Sequence, residues 1–427
     1  MIKGIKRIVG AIIWTAVLWF VLQIAHGITD TRRDMDDVAG NNPTDIEVES
    51  MDTLPVAETV PHALAKQSRE SKQVKENEMD AQEQHQYAKQ FLSADGQLVY
   101  NDLFINILNH NTESFEVAVV GKDEFTQAYT ALMHDAPEIF YVKSFVYYMD
   151  KHDRIQSARI IYNVTKEERE RKEKEMEIVV NELLGKVQHK WGDYEKVKYL
   201  YDTIIQRTTY DLNAPDHQNI YSVLVGRRSV CAGYARTLQY LMHQLDMVSI
   251  YVTGFALNTD GSNIGHAWNL VKMDDEYYHV DATWGDPMFQ MKHAHKDYIG
   301  YAYFGMSSED LARTHVVDMD YPLPPAEGIL NNYYVKEKLL VDQTSAGGFL
   351  LQALIHGSGV GQRVYSMKCV EGYDTIIEDI FKNGYINKLI RQANDSVSRP
   401  YADVQAIYPS PEAKIIDFIL DFKDETP

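Results

Sequence analysis

Cysteine is scarce in this chain. Cys231 and Cys369 are the only two in 427 residues, so no disulfide framework supports the fold, and one oxidised pair is the most that could form. Basic residues are in deficit as well. With 62 acids against 42 bases the formal net charge is −20, and no basic stripe interrupts it, which excludes nucleic acid as a partner. The sequence has no phosphate loop, no dinucleotide fingerprint and no internal repeat. His293 and His295 stand close together, but no carboxylate spacing completes a recognised metal motif, so neither a metal nor any other cofactor is expected. What remains suits a packed protein: 45% of residues are hydrophobic and 11% aromatic. The length exceeds one ordinary core, so two or three domains are expected.

One long apolar run is present, at the amino terminus. Lys3, Lys6 and Arg7 precede a nearly uncharged stretch from Ile8 to Ala25, about as long as the hydrocarbon core of a bilayer requires of a helix. Positive charge ahead of it places the amino terminus in the cytoplasm and the body outside. Residues 1–27 therefore read as a membrane anchor of a single-pass protein. A signal segment cleaved after Ala25-His26-Gly27 is the alternative, and would give a secreted protein. Residues 28–85 are polar, acidic and broken by Pro43, Pro55 and Pro61, the composition of a disordered tether.

Order is expected from about residue 86, in an α+β arrangement. Residues 86–165 read as an N-terminal α/β domain: a strand at 114–120, a helix near 123–134, and apolar runs at 140–148 and 159–162. A connecting helix follows in 166–192, with Met176, Val179, Val180, Leu183 and Leu184 spaced for one face. Residues 193–325 open on a helix with Val197, Leu200, Ile204 and Ile205 on one side, and hold the chemistry. Pro322, Pro324 and Pro325 mark a reset. A C-terminal α/β domain, 326–427, is predicted as a strand over NNYYVKEKLLV (331–341), a helix from Ser345, a strand at 363–370, helices to Asn394, and strands near 404–408 and 415–420.

The stretch SVCAGYARTLQYLMHQL (229–245) places Ala235, Leu238, Leu241, Met242 and Leu245 at helical spacing, so Cys231 falls in the first turn of a buried helix. Unpaired N–H groups and the positive end of the helix dipole favour a thiolate there, and can later receive an oxyanion. A lone cysteine would more simply be a core residue. His266, however, stands in GHAWNLV (265–271), which reads as a strand, and a polar turn leads to a second strand, YYHVDATW (277–284). With the loop at 273–276, Lys272 pairs with Tyr277 and Trp268 faces Asp281. His266 and Asp281 then share a face, where a carboxylate can orient an imidazole. Cys369 lies in mid-strand and reads as core.

The motifs YD (210–211), VCAGYA (230–235), GHAWN (265–269) and YHVDATWGD (278–286) together resemble the transglutaminase-like superfamily, in particular a bacterial secreted or membrane-anchored branch related to a yeast cytokinesis protein. Fainter likenesses extend to DAPEIFYV (135–142) and AYFGMSSEDLARTH (302–315). The resemblance implies a papain-like core, with the nucleophile helix packed on an antiparallel sheet, and a catalytic triad of Cys231, His266 and Asp281. No motif assigns an oxyanion-hole side chain. Tyr234 and Trp284 match the pattern as structural neighbours of the triad. The implied activity is acyl transfer from a peptide or protein amide, to water as in a peptidase or amidase, or to an amine as in a cross-linking enzyme. Placement outside the membrane suggests cell-wall or surface protein as substrate. The alternative is a non-catalytic scaffold of the cell envelope that keeps the cleft.

Overall fold

The computed structural model describes residues 85–257, 263–286 and 298–423. The expected anchor, the tether up to residue 84 and the His293–His295 pair lie outside the described residues. Among the described residues, no helix is long and apolar enough to cross a membrane.

The first unit contains helices α1 (Ala94–Leu108) and α2 (Lys122–Asp135) and strands β1 (Phe115–Val120), β2 (Val142–Met149) and β3 (Ile155–Tyr162). The strands form an antiparallel sheet in the order β1-β3-β2. Helix α3 (Lys166–Leu184) starts at a capping box. Thr165 accepts from the Glu168 N–H at 3.2 Å, and the Glu168 carboxylate takes the Thr165 N–H at 3.0 Å, which satisfies two donors that a helix start leaves open. Its buried Met176, Val180 and Leu183 fall on the stripe read from the sequence. Helix α4 (Asp193–Arg207) likewise buries Val197, Leu200, Ile204 and Ile205.

The central unit is a five-stranded antiparallel sheet in the order β10-β6-β7-β8-β9, from β6 (Ser249–Leu257), β7 (Asn263–Met273), β8 (Glu276–Val280), β9 (Phe304–Met306) and β10 (His315–Val317). Helix α5 (Cys231–His243) packs against it, buried along Tyr234, Ala235, Leu238, Leu241 and Met242. The alternation expected of a half-exposed strand is absent from the middle of β7, where His266 through Val271 are all buried. A central strand covered on both sides needs apolar or satisfied residues at every position. One apolar core runs without a break from the first unit through α5 to Tyr321.

The last unit has its own core. It is a four-stranded sheet in the order β11-β12-β14-β13, from β11 (Leu340–Val341), β12 (Val364–Cys369), β13 (Tyr401–Ser410) and β14 (Ile415–Phe422), with helices over Ala346–Val360 and Tyr385–Asn394. The strand expected over 331–341 is corrected here. Asn332 accepts from the Tyr334 N–H at 3.2 Å and caps a short helix, Tyr333–Lys336, leaving only Leu340–Val341 as strand. Tyr333, Tyr334 and Val335 suit a strand, but an asparagine followed by a free N–H competes as a cap. Buried Asp417 on β14 ties this unit to the central one, because Tyr298 donates its hydroxyl to Asp417 at 2.5 Å.

Candidate active site

Cys231 is the first residue of α5, and its position is set from both sides. Upstream, β4 (Thr209–Tyr210) and β5 (Arg228–Ser229) pair in parallel, and the buried Ser229 hydroxyl bonds the His217 carbonyl at 2.7 Å and Ser222 Oγ at 2.6 Å. Downstream, Arg236 reaches the Met133 carbonyl on α2 at 2.6 Å and lies over the Tyr251 ring at 4.6 Å. Asn269 on β7 donates to the Ala235 carbonyl at 2.9 Å. Val230 precedes the helix and supplies no capping side chain, so N–H groups of the first turn remain for another acceptor. The thiol is half-buried, against Ala235, Tyr251 and Ala267.

The hairpin β7–β8 carries the next two residues. Lys272 pairs with Tyr277 and Asn269 with Val280, the register read from the sequence. The turn is Asp274-Asp275, with Asp274 at φ +55, a conformation aspartate tolerates better than most residues. Continuing the register places Asp281 opposite Trp268, on the His266 side. Asp281 Oδ2 lies 2.7 Å from His266 Nε2. That leaves Nδ1 as the nitrogen available to Cys231, which packs against Ala267 on the same strand and adds to the upward shift of the imidazole. Asp281 Oδ1 caps the turn Ala282–Gly285, accepting the Thr283 N–H at 2.9 Å and the Trp284 N–H at 3.1 Å.

The electrostatics follow from burial opposed by pairing. Burial disfavours a charged His266, yet the adjacent Asp281 carboxylate, and then Cys231, outweigh it and push the imidazole up to about 10. Burial likewise disfavours a charged Asp281, but His266 and then His315 hold it well below the usual carboxylate range. Each partner thus favours the charged form of the other, and an imidazolium is the counter-ion a catalytic thiolate needs.

Two residues without a role in the sequence reading stand beside this pair. His315, on the edge strand β10, lies with Nε2 3.2 Å from the same Asp281 oxygen. Its segment, AYFGMSSEDLARTH, carries a faint family likeness, but nothing local in ARTHVV distinguishes this histidine from a surface one. Tyr210 has its hydroxyl pushed well up by burial, with Cys231 and then Asp281 adding to the shift. Tyr234 and Trp284 fall where neighbours of the site were expected: Tyr234 bonds Asp286, and the Trp284 ring lies 6.1 Å from that of His266.

His266, Asp281 and His315 each offer one ligand atom, all within 4.8 Å of one another, the one such group of three among the described residues. The separations of 2.7 and 3.2 Å are those of hydrogen bonds. Donors at zinc-bond length around a tetrahedral ion would stand about 3.3 Å apart. The donor set fits a proton-linked network better than a metal.

Residues 180–282 match the family model of the transglutaminase-like superfamily. This core is transglutaminase-like. The matched stretch begins within α3 and contains Cys231, His266 and Asp281, while His315 lies beyond it. Kyphoscoliosis peptidase from Mus musculus is 29% identical to the chain over 119 residues, which are 25% of this chain and 18% of that protein. The chain thus spans about a fifth of the length of the curated relative it matches. Among solved structures, one described as a TGase aligns with a TM-score of 0.25 at 18% identity, over 36% of this chain and 46% of that one. The periplasmic domain of TgpA from Pseudomonas aeruginosa aligns with a TM-score of 0.21 at 15% identity, over 32% of this chain and 57% of that one. The transglutaminase-like core is here an α+β unit, with a helix that starts on cysteine packed on an antiparallel sheet.

Proposed function

We propose that the protein is a thiol enzyme that transfers the acyl group of a peptide or protein amide through Cys231, His266 and Asp281. The observation that carries this reading is the hydrogen bond of His266 Nε2 to Asp281 at 2.7 Å, on a strand whose Ala267 packs against Cys231 at the start of α5. Cys231 attacks the amide carbonyl as thiolate. The negative oxygen of the tetrahedral intermediate faces the open N–H groups at the start of α5. His266 gives its proton to the leaving amine, and Asp281 keeps the imidazole in the orientation and tautomer that this step requires. Water or an amine then accepts the acyl group, and regenerates the thiol. Hydrolysis and cross-linking use the same three residues, so the acceptor is decided by what reaches the acyl-enzyme. The charged and apolar pattern of residues 1–27 supports a location outside the membrane, on an anchor or after cleavage, which makes cell-wall peptide or surface protein the accessible donor.

The test is a comparison of cleaved and cross-linked peptides in cells carrying wild type or Cys231→Ala, with Asp281→Asn beside them. Cys231→Ala is expected to remove every product, and Asp281→Asn to reduce turnover severely, by up to ~10⁴-fold as in a well-studied triad. If Cys231→Ala keeps the phenotype that deletion of the whole protein removes, the protein acts as an envelope scaffold instead.

A further inference from the structure

Asp281 is saturated with donors. An ionised carboxylate offers about four lone-pair sites. Oδ1 takes the N–H groups of Thr283 and Trp284 at 2.9 and 3.1 Å, and Oδ2 takes His266 and His315 at 2.7 and 3.2 Å. The two histidines reach this one oxygen from strands that are not neighbours, since β6 lies between β7 and β10. The sheet is built to allow it. Gly254 on β6 pairs with His266 on one side and Val317 on the other, and a Cβ there would meet the Val316 carbonyl oxygen at 2.0 Å and the Trp268 ring at 2.9 Å.

The state of His315 follows from its partners. Its side chain is fully buried among Trp284, Trp268 and Tyr303, with ring centroids at 4.9, 5.1 and 5.5 Å. Burial lowers its affinity for a proton, and the His266 charge lowers it further, against the opposing hydrogen bond to Asp281. A neutral imidazole has one N–H, and the carboxylate requires it at Nε2. Nδ1 is then an acceptor, and the Thr314 hydroxyl stands 2.9 Å from it, closer than the 3.4 Å to its other acceptor, the Leu311 carbonyl.

We propose that His315 is a positioning residue of the thiol site: it donates Nε2–H to Asp281 Oδ2 and so fixes the carboxylate on which His266 turns. The proposal rests on the acyl-transfer reading above, and it extends the working site beyond residues 180–282 to the edge strand. Oδ1 is already held by two backbone N–H groups, whereas Oδ2 without His315 would have His266 as its one donor among the described residues, and would be a stronger base for the proton that His266 needs to keep. The second donor lowers that basicity and fixes the direction of Oδ2. Groups facing Asp281 and His315 from the packed elements are His266, Cys231, His279, Tyr201, Tyr210 and Tyr303. Burial raises all three tyrosines and lowers His279 to about 4, so none of these four titrates between pH 5 and 9.

The experiment is the pH profile of iodoacetamide alkylation at Cys231 in the full chain, read by mass spectrometry beside thermal melting. In wild type, alkylation is expected to persist at mildly acidic pH, and His266→Gln to abolish that. His315→Leu is expected to slow alkylation at pH 6 by roughly tenfold or more, the scale seen when a partner orienting a histidine is lost, and to move the acid limb to higher pH. His315→Gln, which keeps an N–H donor, should return the limb towards wild type. Thr314→Val, which releases the tautomer, should shift it in the same direction as His315→Leu. A folded His315→Leu protein with the wild-type limb overturns the proposal. Should that variant not fold, a Thr314→Val limb that coincides with wild type overturns it, and a shifted one upholds it. If His266→Gln leaves the wild-type profile unchanged, it is the thiol-site reading itself that fails.

Discussion

Tyr234 donates its hydroxyl to Asp286 Oδ2 at 2.7 Å, and both groups are buried. The bond spans the site, joining the helix that starts on Cys231 to the turn that Asp281 caps. Tyr234→Phe removes only one oxygen, but leaves a buried carboxylate short of a donor. A hydrogen bond to a charged group contributes about 1.5–3 kcal/mol. Urea unfolding of the variant should show a lowered midpoint with an unchanged m value, and a loss of that size.

The His266–Asp281 pair makes stability depend on pH in a stated direction. His266 is raised in the folded state, from 6.5 to about 10, so its contribution is complete below pH 6.5 and is lost as pH climbs towards 10. Asp281 is depressed below its ordinary 3.8, so its contribution is present above pH 4 and is lost as pH falls further. The wild-type advantage over His266→Gln should therefore be widest between pH 4 and 6.5 and narrow steadily up to pH 9.5. An advantage that is flat across pH 6.5–9.5, measured by thermal melting, would show that the imidazole is neutral in the folded protein.

The two cysteines should behave as different chemical species. Burial pushes the Cys369 thiol up to about 11, and it lies inside the last unit's core, whereas Cys231 is half-buried beside His266. Native alkylation at pH 7 should modify Cys231 alone, and a second equivalent should react only on unfolding. Cys369→Ala should leave Cys231 labelling unchanged and cost roughly 1–2 kcal/mol.

Gly233 is required by a close approach. A Cβ at this position would meet Ser229 Oγ at 1.9 Å and the His217 carbonyl at 3.1 Å. Ser229 cannot yield, because its hydroxyl is bonded to His217 and Ser222. Gly233→Ala should destabilise by about 1–3 kcal/mol, the usual cost of overpacking, and should slow Cys231 alkylation by displacing the helix start. Adding Ser229→Ala should recover part of the stability, and a double-mutant cycle measures that coupling.

Much of this is legible in the sequence, and for local reasons. Helix α5 starts on Cys231 because an apolar stripe of period 3.6 begins there, and the β7–β8 register follows from a two-residue turn between two strands. Both depend on the covalent geometry of a few adjacent residues, which periodicity reports directly. The meeting of His266 with Asp281 belongs to the same class, since parity within one hairpin decides it.

His315 belongs to another class. It stands 34 residues beyond Asp281, on a three-residue strand with no periodicity of its own. It reaches the carboxylate only because β6 inserts between β10 and β7 with a glycine at the crossing. The helix at Tyr333–Lys336 has the same origin, for Asn332 serves as its cap while donating to the Gly305 carbonyl at 3.2 Å. Local sequence determined where α5 starts and how β7 and β8 pair. Which distant groups share one buried oxygen was decided only when the chain closed on itself, because a polar group removed from water must find its partners wherever the packed core places them.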